Sequence, residues 1–171
     1  WVEGIEAGCL VGSQLGLVRP RREIASDGEL ALAEVPPFLH VVRTLYLGVS
    51  WRVETEIVRQ SPPAFPVLLE VPLIPGERVL SEGVQVRDGH VRVSLPPGSN
   101  RAGWSSMLAP VDTLALRAVE DNRLSEEWRL ELSTLWHMEA EGIPPVHHLG
   151  RLDRWLPTWR PWPGEEVRLR F

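Results

Sequence analysis

The stretch Glu82-Gly-Val-Gln-Val-Arg-Asp-Gly-His-Val-Arg-Val-Ser-Leu95 decides the fold class. Val84 and Val86 alternate with polar residues, Asp88-Gly89 interrupts, and Val91, Val93 and Leu95 alternate back. Asp-Gly suits a two-residue turn in which both central residues take positive φ, so the segment predicts an antiparallel hairpin with Val86 opposite Val91 and Val84 opposite Val93.

The same period of two recurs on either side of the hairpin. Leu45, Leu47, Val49, Trp51, Val53 and Ile57 share one parity, while Tyr46, Ser50, Arg52, Glu54 and Glu56 take the other. This reads as one long or bent strand with a single dry face, Gly48 marking a bulge or break. Val67–Leu73, Thr113–Val119, Trp128–Trp136 and Val167–Phe171 are further strands, and Gly28–Glu34 is a weaker one. Leu124 to Met138 admits two readings. Ser125-Glu-Glu-Trp resembles a helix start, but Trp128, Leu130, Leu132 and Thr134 alternate with Arg129, Glu131 and Ser133, and the strand is favoured. Pro36-Pro37, Pro62-Pro63, Pro96-Pro97 and Pro144-Pro145 leave little room for long helices. The expected fold is an all-β antiparallel β-sandwich, immunoglobulin-like in style.

An order of features also repeats. Thr44-Leu-Tyr-Leu47, Trp51-Arg-Val-Glu54, Pro62-Pro63 and Pro75-Gly-Glu-Arg-Val79 are echoed by Thr113-Leu-Ala-Leu116, Trp128-Arg-Leu-Glu131, Pro144-Pro145 and Pro163-Gly-Glu-Glu-Val167. Shared strand-and-turn vocabulary accounts for this, as do two tandem sandwich-like units with the second truncated. The second reading divides the chain into 1–100 and 101–171, the latter a second β unit or the remainder of the same sandwich, with the connection falling near 98–112.

Composition bounds the function. The chain has 171 residues, 43% hydrophobic and 24% charged, enough for a true core. Its net charge of −5 disfavours nucleic acid and anionic lipid as partners of the whole surface. All 18 cations are Arg, which removes lysine Schiff-base and P-loop chemistry. Cys9 is the only cysteine, so neither an intrachain disulfide nor a cysteine-rich zinc site can form. The longest uncharged run, Ala7 to Val18, is too short and too polar to span a bilayer. An opening at Trp1 and a close inside the strand-like Glu166-Val-Arg-Leu-Arg-Phe171 lead us to expect a piece of a longer, multidomain protein, any signal or anchor lying outside it. A periplasmic or extracellular setting is the corresponding expectation.

Two clusters are candidates for chemistry. The segment Arg154-Trp155-Leu-Pro-Thr-Trp159-Arg-Pro-Trp162 holds three indoles that an extended chain could present as a stacking platform for sugar, with Arg154 and Arg160 bonding hydroxyls or stacking on the rings. The alternative is that these rings cap the sandwich or pack on an adjoining domain. His137, Glu139, Glu141, His147 and His148 have metal-ligand chemistry but match no ligand spacing, so a hydrolase with a metal or carboxylate site near His137–His148 ranks below a solvated loop. His40 and His90 read as surface residues. Ser105-Ser106 and Cys9 lack helpers, Gly12 and Gly16 make no phosphate loop, and the adjacent acids Glu126-Glu127 and Glu165-Glu166 diverge on a strand. No cofactor is expected. The function expected is therefore non-catalytic: scaffolding or interaction with adjoining domains, another protein or a polysaccharide, in a bacterial envelope or secreted protein.

Overall fold

The computed structural model describes the backbone of Ala7–Val11 and Gln14–Val18, and residues 36–146 and 156–171 in full. The chain forms two compact units, Trp1–Glu34 and Val35–Phe171. In the first, β1 (Ala7–Val11) and β2 (Gln14–Val18) pair antiparallel, which the sequence reading did not anticipate. The weaker strand expected at Gly28–Glu34 lies outside the described residues.

The second unit is all-β, with no helix among the described residues. Its largest sheet has six strands in the order β13 (Thr158–Trp159), β11 (Leu124–Leu132), β3 (Leu39–Leu47), β4 (Trp51–Arg59), β9 (Arg101–Leu108), β6 (Glu77–Val79). Among the described residues, two three-stranded sheets accompany it: β5 (Val67–Pro72), β8 (His90–Leu95), β7 (Gln85–Arg87), and β10 (Thr113–Arg117), β14 (Glu166–Arg170), β12 (Glu139–Gly142). All pairings are antiparallel except β11 with β3, which run parallel; the chain between them supplies strands to all three sheets. The large sheet takes strands from both sides of position 100, and the expected connection at 98–112 is largely β9, paired with β4 and β6. The counterparts in the echoed order do not occupy equivalent places: β3 and β4 are sheet neighbours, whereas β10 and β11 lie in different sheets.

The Asp88-Gly89 hairpin forms with Val86 opposite Val91 and with φ of 49° and 73° at its two turn residues. The long strand expected at Leu45–Ile57 is instead β3 and β4, folded back about Gly48-Val49-Ser50 with Leu47 opposite Trp51. Directly opposed residues point to the same face, so an odd-length loop leaves parity unbroken, whereas the two-residue Asp-Gly turn shifts it. The pattern of alternation was right; the reversal hidden in it was invisible. Leu124–Leu132 is a strand, resolving the ambiguity, and Trp136 lies beyond its end.

One face of the large sheet is buried in two separate cores. Leu45, Leu47, Trp51, Val53, Trp128, Leu130 and Trp159 pack with Leu114, Leu116, Val167 and Leu169 of the β10-containing sheet. Leu39, Val41, Ile57, Trp104 and Leu124 pack with Val67, Leu69, Val71, Val91, Val93 and Leu95 of the β5-containing sheet. The second layer is thus split, and a cross-strand row, Trp128, Arg43, Thr55, Trp104, runs along the boundary between the two cores.

Candidate functional site

Arg43 and Thr55 are buried on the inward face of β3 and β4, among inward Leu, Val, Ile and Trp; Arg59, also inward at the end of β4, is answered by Ser61 Oγ and the Phe65 carbonyl. Arg43 is only 6% exposed. Its Nη2 donates to the carbonyl of Pro72 at 2.6 Å, its one hydrogen bond among the described residues; its buried Nε has no partner. Glu126 is the buried acid of this face. Its carboxylate accepts from the Val119 amide at 2.7 Å and from Trp128 Nε1 at 3.0 Å.

Both side chains cap the edges of the small sheets. The Leu73 amide donates to the Gly89 carbonyl, which places Leu69, Val71 and Leu73 in hydrogen-bonded pairs with β8 and its turn. The backbone groups of Leu68, Glu70 and Pro72 therefore face away from β8. Proline fits there because no N–H is required of it, and Arg43 satisfies its outward carbonyl. By the same rule, Phe171 to Asp112 and Ala118 to Glu165 put Leu114, Leu116 and Ala118 in the ladder with β14 and its approach. Thr113, Ala115, Arg117 and Val119 then face outward, and Glu126 takes the Val119 amide. No strand among the described residues pairs with the outward edges of β5 or β10.

Between these edges lies a groove of about 430 Å³, floored by Arg43 and Trp128, walled by Pro72, Ile74, Leu116 and Val119, and rimmed by Glu70, His90 and Arg117. That volume falls in the range of small-ligand pockets. A larger, more open hollow of about 760 Å³ lies beside the Gly48–Ser50 loop, with Val49, Leu80 and Met107 on it, but none of the buried unpartnered polar atoms lines it.

The residues singled out from sequence are placed elsewhere. Trp159 is a correction: β13 pairs it with Trp128, which turns the indole into the core at 1% exposure, so it offers no face to a sugar. Trp162 is 77% exposed on the turn closed by Glu165, whose carboxylate accepts the Trp162 amide. Arg154 and Trp155 lie outside the described residues, as do His147 and His148. His137, Glu139 and Glu141 are exposed, Glu141 lying 3.6 Å from Arg170, and no three metal-ligating side chains converge among the described residues. The seam was missed; its signal was a polar residue at an inward position in each of three strands, Arg43, Thr55 and Glu126.

Arg160 binds Glu127 at 2.8 Å on the opposite face of the large sheet, and Arg129 binds the same carboxylate at 2.6 Å. Burial pushes the Glu127 carboxyl up, but the hydrogen bonds and charges of Arg129 and Arg160 outweigh it, and the net shift is downward. A carboxyl with a depressed folded-state pKa stabilises fully above its unfolded value and loses that contribution as pH falls through the folded one. The Glu127→Gln variant should accordingly be less stable than wild type at neutral pH, the difference shrinking below the ordinary glutamate range. Urea midpoints measured from pH 7 to pH 2.5 check this; a difference independent of pH would refute the assignment.

No protein family, curated protein or solved structure matches this chain.

Proposed function

We propose that this chain is a non-catalytic interaction domain that accepts an extended segment of another polypeptide along the seam, pairing with the outward edge of β10. The observation that carries this is the split second layer: two sheet edges line one apolar groove, and Ala115 and Arg117 offer backbone groups to it. Strand addition satisfies such groups and buries alternate side chains in the groove. A scaffolding role within a larger envelope or secreted protein follows the same chemistry, the added strand then coming from an adjoining domain.

The test exploits the alternation of the edge. Ala115 does not donate to β14, so Ala115→Pro removes a donor facing the seam while sparing the ladder, and its stability should stay within about 1 kcal/mol of wild type. Leu116→Pro removes a ladder donor and a buried side chain, and should cost about 3 kcal/mol or more. Peptides selected from a random library on the wild-type domain should protect the Ala115 and Arg117 amides from hydrogen exchange and should not bind Ala115→Pro. Binding that survives Ala115→Pro, or that protects other strands, would defeat the reading.

A further inference from the structure

The seam holds a charge that its own strands leave unanswered. No carboxylate pairs with Arg43 among the described residues, and Glu126, the buried acid of the same face, already accepts two hydrogen bonds. Burying a guanidinium without an anion is costly, and a carboxylate entering the groove would form charge-assisted, bidentate-capable bonds with it.

The edges also say where an incoming strand must stop. Pairing along β10 in the direction of Val119 ends at that residue, because its amide is committed to Glu126. Across the groove, Pro72 has no N–H and its carbonyl is committed to Arg43. Arg43, Pro72 and Val119 line the same cavity, so backbone pairing closes on both walls where the unpaired cation sits. A chain continuing through this point would bury amide groups with no partners, whereas a chain ending there places its terminal carboxylate on Arg43. Resting on the strand-accepting reading above, we infer that the occupant is the C-terminal end of a polypeptide: its last residues pair with β10, and its α-carboxylate is read by Arg43. Trp128, Ile74 and Leu116 form the apolar floor and wall beside that end and select a hydrophobic side chain near the terminus.

The experiment uses the full chain and two libraries of eight-residue peptides with random last four positions, one with free C-termini and one amidated. Peptides selected from the free-acid library should bind about tenfold or more tightly than their own amidated forms, and Arg43→Gln should abolish the difference between the two. The amide comparison needs no folded variant, so it decides the matter even if Arg43→Gln fails to fold. Equal affinity of acid and amide, with Ala115 and Arg117 still protected, overturns the terminal-carboxylate inference and leaves strand addition standing. Failure of both libraries to protect those amides overturns both.

Discussion

Replacing Trp51 with alanine is expected to lower the unfolding free energy by about 3–5 kcal/mol. The indole is fully buried at the start of β4 and meets two other rings edge-on, Trp136 at 5.5 Å and Phe171 at 4.7 Å between centroids. These rings close the end of the core where the β3–β4 loop turns and where the chain after β14 arrives. Truncation removes the largest buried surface there and leaves a void that backbone hydrogen bonds on both sides keep from collapsing. Trp162→Ala, on an exposed turn, should change stability by no more than about 0.5 kcal/mol. Urea denaturation followed by far-ultraviolet circular dichroism separates the two. A loss below about 1 kcal/mol for Trp51→Ala would mean that this core is not packed as described.

The second large effect is expected at Glu126. Alanine there leaves the Val119 amide and Trp128 Nε1 without acceptors, and each buried donor costs about 1–3 kcal/mol, so a loss near 3 kcal/mol is expected. The exposed pair Arg101–Glu56, although only 2.7 Å apart, is the fitting control: Glu56→Ala should cost less than about 1 kcal/mol. Equal losses in the two variants would mean that Glu126 does not cap the edge near β10. The comparison separates a carboxylate that holds the split layer together from one that decorates the surface.

How much of this was legible follows from what alternation can and cannot encode. The Asp88-Gly89 hairpin was legible because turn chemistry and parity agree within fourteen residues of sequence. The β3–β4 reversal was not, since Gly48-Val49-Ser50 preserves parity across the loop. Strand β9 hid for another reason: Arg-Ala-Gly-Trp-Ser-Ser-Met-Leu is poor in β-branched residues and reads as a linker, yet Trp104, Ser106 and Leu108 point inward in alternation between β4 and β6. Gly103 is required there, because a Cβ would approach the Thr55 carbonyl oxygen to 2.8 Å. The parallel pairing of β11 with β3 joins residues 85 positions apart and leaves no local mark.

The site was less legible still. Tryptophans near the C-terminus draw attention by their number, but β13 is short and its pairing with β11, not composition, decides that Trp159 is core while Trp162 is exposed. Arg43, Thr55 and Glu126 each look like an ordinary polar interruption of an apolar stripe. Only the register brings Arg43 beside Thr55 on one side and Trp128 on the other, with Glu126 two residues before Trp128, and only the split of the second layer explains why polar groups are tolerated there.

The central claim is that β5 and β10 present unpaired edges to a groove, and native-state amide hydrogen exchange of the unliganded protein tests it residue by residue. The account predicts alternation: Leu69, Val71, Leu114, Leu116 and Ala118 protected, with Leu68, Glu70, Thr113, Ala115 and Arg117 exchanging far faster. Slow exchange at both sets would contradict it, since the edges would then already be paired and the seam closed to any added strand.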